Sequence, residues 1–396
     1  MGEVANIPQL RFPEFSNEWE ESKVGKVFKV SAGGDIKTEN VSQIKTDGFP
    51  YPIYANAEKA KGLYGYSNLY KSEANVVTVA GRGVNIGIAH VRLEPFYPIV
   101  RLLVLNPIKD ADVKFWENQL NQLNLFVEST GVPQLTAPQI SSYKVKYPSK
   151  PEQQKIAAFL TAVDNKIEQL SKKQELLGEY KKGLMQQIFS QAIRFKASDG
   201  SDFPDWEEKK LGGVVDNVGG TALEKYTNPK ETHKFISIGN YGVDGKYIDN
   251  GQRVELNNKT KTKLLDKDNL VMVLNDKTAA GNIVGSTILI DESDSYIYNQ
   301  RSERLICKSE LFPIFAWHYL NSKIFRKSVY SISQGGTQIY VNFPSVKELN
   351  FSLPSLLEQT KIANFLSSID TKIEQVSKQL DESKQFKKAL LQQMFV

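Results

Sequence analysis

Cysteine is almost missing from this chain: Cys307 is the one thiol among 396 residues. That excludes an intramolecular disulfide framework and fits a reducing cytoplasm. Cys307 follows an apolar pair and reads as a small buried hydrophobe. His90, His233 and His318 are isolated, so no paired Cys/His metal ligands are present and no chemistry is assigned to them. No apolar run approaches the ~18–20 residues that span a bilayer. The opening MGEVANIPQLRFPEF lacks the regions of a secretion signal, and Asn6 stands where myristoylation needs Ser or Thr. A cytoplasmic protein without a membrane partner is expected. Excess charge is slight: a formal +5 leans toward polyanions without demanding one. This length, with an ordinary 40% hydrophobic content, predicts two or three globular domains.

What the chain has is a duplication. Residues 149–189 (SKPEQQKIAAFLTAVDNKIEQLSKKQELLGEYKKGLMQQIF) are matched by residues 355–395 (SLLEQTKIANFLSSIDTKIEQVSKQLDESKQFKKALLQQMF) at a constant offset of 206 positions. Glu152 matches Glu358, Asp164 matches Asp370, and Gln186 matches Gln392. Pro148 and Pro354 end the preceding segments, since a residue before proline is pushed to extended geometry. Ser149-x-x-Glu152 and Ser355-x-x-Glu358 then fit a capping box, in which the glutamate reaches back to the cap. Pro151 sits in the first turn, where a missing donor costs nothing.

Apolar residues recur at alternating steps of four and three in both copies. The first runs Ile156, Leu160, Val163, Ile167, Leu170 and Leu177, with Leu184 and Ile188 beyond; the second runs Ile362, Leu366, Ile369, Ile373, Val376 and Leu380, with Leu390 and Met394 beyond. So narrow a stripe predicts a coiled coil, not two helices each packed on its own domain. With a globular insert between them, the helices are expected to run antiparallel. Lys181 and Lys387 interrupt the stripe, which predicts a looser distal third.

Ahead of each helix lie short runs of β-branched and aromatic residues broken by Gly, Asn, Asp and Pro. Val76–Val79, Ile99–Leu105, Leu270–Leu274 and Thr287–Ile290 read as strands. Gly81-Arg82-Gly83, Asn240-Tyr241-Gly242, Asn275-Asp276-Lys277 and Ala280-Gly281-Asn282 read as turns. Val113–Leu125 and Phe312–Ser328 read as helices. The entry segments are echoed too: Leu10-Arg11-Phe12 with Trp19-Glu20-Glu21 returns as Ile193-Arg194-Phe195 with Trp206-Glu207-Glu208. Each insert closes on a related tetrad, Gly131-Val132-Pro133-Gln134 or Gly335-Gly336-Thr337-Gln338.

The echoed entry, two dissimilar inserts, the doubled P-x-x-x-E-Q-x-K-I-A-x-F-L-x-x-x-D-x-K-I-E-Q-type helix and the closing Gly-x-x-Gln resemble the specificity subunit of type I restriction–modification systems. The resemblance covers the whole chain. It implies an α+β fold with a pseudo-two-fold repeat: target recognition domains at 1–148 and 193–354, and spacer helices at 149–192 and 355–396 packed as an antiparallel coiled coil. Each domain would read one half of a bipartite double-stranded DNA target. The helices would set the spacer and dock two methyltransferase subunits, which in turn bring in restriction/translocase subunits. A helix of ~40 residues is roughly 60 Å long, more than one DNA turn of about 34–36 Å. S-adenosylmethionine, ATP and Mg would belong to the partners, with no cofactor on this chain. Consistent with a non-catalytic role, the sequence has no Gly-x-x-x-x-Gly-Lys-Ser/Thr loop and no Asn/Asp-Pro-Pro-Tyr/Phe run.

Base edges are read by Arg or Lys on guanine and by Asn or Gln on adenine, while phosphate contacts position the protein. Residues shared by both units cannot distinguish unlike half-sites. Gln134 and Gln338 therefore serve something common: a loop, a phosphate or an adenine present on both sides. Specific readers are expected in unmatched loops: Tyr54, Asn56, Lys61, Tyr64, Arg82 and Asn85 in the first insert. In the second they are Asn240, Tyr241, Lys246, Asn275, Lys277, Thr278 and Asn282, with Arg301 behind them. The competing functions are a duplicated protein-binding scaffold without DNA, and a fused restriction–methylase whose signatures the sequence lacks.

Overall fold

The computed structural model describes residues 7–57, 59–108, 110–123, 125 and 133–396, so Gly131 and Val132 of the first closing tetrad lie outside it. The chain forms two compact units: residues up to Ser171 together with Lys378–Val396, and Lys172–Ser377. Both are mixed α/β bodies built on one plan.

The first unit enters through the strand Glu20–Lys23, one helical turn at Val24–Val27 and the strand Phe28–Ala32. The second repeats this as Glu207–Lys210, Leu211–Val214 and Val215–Gly219. The entry strand pairs antiparallel with the strand that closes the insert, Lys144–Tyr147 in one unit and Asn350–Leu353 in the other. Each insert is thus tied shut just before the proline that opens its long helix.

The central sheets share one spatial order. In the first unit it is Phe28–Ala32, Leu103–Pro107, Val76–Val79, Ala89–Arg92; in the second, Val215–Gly219, Ser302–Cys307, Leu270–Val273, Thr287–Leu289. The runs Val76–Val79, Thr78 included, and Leu270–Val273 are buried along their whole length. A side-chain amide locks a helix to the edge strand in both units. Asn121 exchanges two hydrogen bonds with the Ala89 backbone (2.8 and 3.1 Å), and Asn321 does the same with Thr287 (3.0 and 2.8 Å). The smaller sheets differ. One contains Val41–Ser42, Leu63–Ser67, Tyr51–Tyr54 and Tyr97–Pro98; the other contains Arg253–Val254, His233–Ile236 and Tyr296–Tyr298.

Four sequence readings are corrected. The strand expected from Ile99 begins at Leu103, because Val100 and Arg101 adopt left-handed backbone with φ of 52° and 58°. The helix expected over Phe312–Ser328 is two, Pro313–Leu320 and Lys323–Ser331, the second capped by the Ser322 hydroxyl accepting from Phe325 N. The helix from Val113 ends at Asn121. Asn275–Asp276 is a short strand paired with Ile339–Tyr340, not a turn.

The repeated segments form helices at Lys150–Phe189 and Leu356–Met394. Each unit packs the beginning of one against the end of the other, antiparallel. In the first unit Ile156 and Leu160 meet Leu390, Met394 and Phe395 in the core around Trp19, Phe115 and Trp116. In the second, Ile362 and Leu366 meet Ile188 and Phe189 around Phe315 and Phe351. Phe395 stacks on Phe115 at 5.5 Å, and Phe189 packs edge-on against Tyr319 at 5.2 Å. The narrow seam therefore widens at the helix ends, where domain core joins helix pair. Between the ends, Leu170, Ile369, Val376 and Leu380 are buried, and Val163, Ile167, Leu177 and Ile373 are half-buried.

Two charged positions behave differently from their sequence reading. Lys181 Nζ donates to both Asp370 carboxylate oxygens at 2.7 Å, and Lys387 Nζ donates to Asp164 Oδ1 at 2.6 Å. These lysines are not gaps in the stripe; they close it with ion pairs at matching repeat positions, a device that fixes register. The glutamates also leave the capping-box role. Glu152 accepts from Arg11 Nε and Nη2, both at 2.7 Å, and from Trp19 Nε1 at 3.4 Å. Glu358 accepts from Arg194 Nε at 3.3 Å, Arg194 Nη2 at 2.9 Å and Trp206 Nε1 at 3.1 Å. A buried carboxylate gains more from a guanidinium than from a backbone amide. The echoed Arg and Trp of the entry segments are thus clamps on the helix start.

Candidate nucleic-acid interface

In the first unit the loops after Tyr54 and Val79 and the loop at Gln134 converge. Arg82 Nη2 and Nε donate to Gln134 Oε1 at 3.0 and 3.3 Å, and the two backbones form an antiparallel bridge. Asn56 clamps this corner. Its Nδ2 donates to Val100 O at 2.6 Å, its Oδ1 accepts from Gly81 N at 2.9 Å, and its carbonyl accepts from Asn85 Nδ2 at 3.4 Å. Tyr54 lies under the Arg92 guanidinium, 3.6 Å from ring centre, and burial pushes its hydroxyl pKa up. Tyr54 and Asn56 thus shape the loops, whereas Lys61 and Tyr64 are exposed and Arg82, Asn85 and Gln134 are half-buried.

The second unit brings Asn275, Lys277, Arg301 and Gln338 to one cleft of about 490 Å³, together with Glu224, Gln252 and Gln300. Lys277, Arg301 and Gln338 are exposed there. The adjoining loop is shaped by Asp276, which accepts from Thr278 Oγ1 and N (both 2.8 Å) and from Ile283 N (2.9 Å). Thr278 and Asn282 are exposed on it. Arg326, whose pKa burial lowers to about 10, holds the Asn282 carbonyl at 2.8 Å.

Three candidates fall elsewhere. Asn240 is fully buried, its amide donating to Ile248 O at 2.8 Å and accepting from Ser237 N at 3.0 Å. Tyr241 is buried too; its hydroxyl donates to Ser302 Oγ at 2.8 Å, and burial raises its pKa. Both are committed to the interior and cannot face a duplex. Lys246 pairs with Glu374 of the second long helix at 2.6 Å, outside the cleft. The closing glutamines also part ways: Gln134 is held by Arg82, while Gln338 faces the open cleft.

One residue was missed. Arg101, in a run whose sequence predicts a strand, sits exposed in a left-handed turn, as Arg301 does with φ of 68°. The offset of 200 that aligns Phe115 with Phe315 and Asn121 with Asn321 also aligns these arginines, and would have flagged the first.

Chemically, the exposed groups are guanidinium, ammonium and amide, suited to base edges and phosphates. Among the described residues no cluster of three or more His, Cys, Asp or Glu could hold a metal, and no helix is long and apolar enough to cross a membrane.

Known proteins share this plan. The family model described as type I restriction modification DNA specificity domain matches twice, at residues 16–177 and 204–383. The chain belongs to this family. It is 30% identical over 304 residues to the type I restriction enzyme MjaVIII specificity subunit of Methanocaldococcus jannaschii, covering 74% of this chain and 71% of that one. A second protein of that organism, the putative MjaX specificity subunit, is 23% identical across 98% of this chain and 95% of its own. The crystal structure of the type I restriction–modification S subunit from M. genitalium superimposes with a TM-score of 0.65 at 17% identity, covering 98% of this chain and 99% of that one.

Proposed function

We propose that this chain is the DNA-reading subunit of a type I restriction–modification complex and is itself non-catalytic. Each unit reads one half of a bipartite double-stranded target, and the length of the long helices sets the number of unread base pairs between. The helices dock two methyltransferase subunits, which recruit restriction/translocase subunits. S-adenosylmethionine, ATP and Mg bind to those partners and not to this chain. The observation that carries this reading is a frame repeated down to Arg–Glu–Trp clamps and Lys–Asp pairs, joined to polar loops that share little with each other. A scaffold for one protein class has no need of two unlike polar faces.

The test is methylome sequencing of cells carrying the chain and its methyltransferase. Four residues inserted after Leu170 and after Val376 lengthen each helix by about 6 Å, or about two base pairs. The expected result is a longer spacer with both half-sites kept. Unchanged spacing contradicts the ruler role, and methyl transfer by the purified chain alone contradicts the non-catalytic one.

A further inference from the structure

We infer that Arg101 and Arg301 form a matched pair of phosphate anchors, one per unit, that hold the DNA backbone without reading sequence; the inference rests on the DNA-reading function above. The two arginines occupy equivalent places. Each precedes the second strand of its central sheet, and each adopts left-handed backbone, with φ of 58° and 68°. For a residue with a Cβ that conformation costs roughly 1–2 kcal/mol, and Asn or Gly would adopt it more cheaply. A strained position kept twice with the same long cation points to the side chain's use.

The backbone around them is duplicated as well. Gly33 N donates to Leu102 O at 2.8 Å, and Gly220 N to Ser302 O at 2.9 Å. Both glycines press on the arginine-bearing turn. A Cβ on Gly33 would lie 2.7 Å from Pro98 C, and one on Gly220 would lie 2.0 Å from Asn299 O. Arg101 N is itself held by Gly33 O at 3.1 Å. Backbone hydrogen bonds hold each turn while the side chain is spare: both arginines are exposed, and neither guanidinium has a hydrogen-bond or ion-pair partner among the described residues. A second cation stands near each. Lys71 Nζ lies beside Gly34, whose carbonyl accepts from Val100 N, and Lys277 lines the same cleft as Arg301. Since both units carry the same residue in left-handed backbone at the same place in the sheet, it cannot distinguish unlike half-sites. A phosphate, which every duplex offers, is the common ligand that fits.

The experiment uses the full chain assembled with its methyltransferase subunits. Binding is titrated with salt on a duplex carrying the methylome-derived target and on a scrambled duplex of equal length. The variants are Arg101→Gly, Arg301→Gly, the double variant, and Arg→Lys at each position. Neutralising one phosphate contact lowers the slope of log affinity against log salt by about 0.9. Each glycine variant is therefore expected to lose about that much slope, with the double losing about twice as much. Both duplexes should weaken by similar factors, the methylated sequence should stay the same, and lysine should restore the slope. Because glycine relaxes a positive φ, melting temperature should hold or rise, which separates lost anchoring from lost folding. An unchanged slope in the double variant overturns the proposal, as does a changed methylated sequence. Failure of the unaltered complex to prefer the target duplex would instead defeat the DNA-reading function itself.

Discussion

The two units keep the same contacts at their helix starts and the same central sheet, and vary most in their smaller sheets and loops. Arg11–Glu152 and Arg194–Glu358 are near copies, with carboxylates 2% and 0% exposed. The Lys–Asp pairs have already drifted: Lys181–Asp370 is largely enclosed, while Asp164 in the partner pair is 47% exposed. The second unit adds His318, 4.0 Å from Asp370, where the first has Asn118 at the matching helix position. The loop sets share little: Tyr54 and Asn56 are structural in one, while an open polar cleft occupies the other. What persists is the buried charge that fixes the helix to its domain. What changes is the surface a ligand meets.

The strongest way to break that likeness is to remove a clamp. Glu152→Ala or Glu358→Ala leaves a buried indole without its acceptor and a partly exposed guanidinium with only Asn17 O, or with Asp205 and the Phe203 and Pro204 carbonyls, costing about 3 kcal/mol. Amide hydrogen exchange should show each variant loosening its own unit. Next come the glycines. Gly220→Ala, whose Cβ would lie 2.0 Å from Asn299 O against 2.7 Å from Pro98 O at Gly33, should cost more than Gly33→Ala, with about 1–3 kcal/mol expected for the tighter site. Comparison of denaturation midpoints checks the order. Smaller again are the helix pairs: Lys181→Ala should cost about 1–2 kcal/mol and Lys387→Ala under about 1 kcal/mol, since the latter pair is wetter.

Comparable to the weaker helix pair is a pH dependence carried by His318 of the second unit. Burial, then Lys181 and Lys246, hold the His318 pKa well below its ordinary value. The unfolded chain takes up a proton below about pH 6.5 and the folded chain does not. Stability is therefore full above that pH and falls as acid is added, by at most about 1.4 kcal/mol per unit. A loss of about 1 kcal/mol at pH 5.5, abolished by His318→Asn, is expected in hydrogen exchange of the second unit.

Much of the frame was legible because repetition aligns residues without any structure. The helices, the antiparallel pairing and the family resemblance followed from it. The roles of Glu152 and Glu358 did not, since a capping box and a clamp share one local pattern and Arg11 lies 141 positions away. Lys181 and Lys387 looked like defects because their aspartates are 189 and 223 positions distant. Asn240 and Tyr241 read as polar turn residues, but sequence does not reveal which polar atoms the interior has already claimed. Arg101 is hidden within its own segment, because a left-handed turn leaves no trace in an apolar run, and shows only through the offset of 200.

The central claim is that one frame carries two independent readers. Its most direct measurement exchanges residues 25–135 for the insert of another family member and maps the methylated sequence in cells that carry the partner methyltransferase. One half-site should change while the other half and the spacer stay. A change in both halves, or in neither, would contradict it.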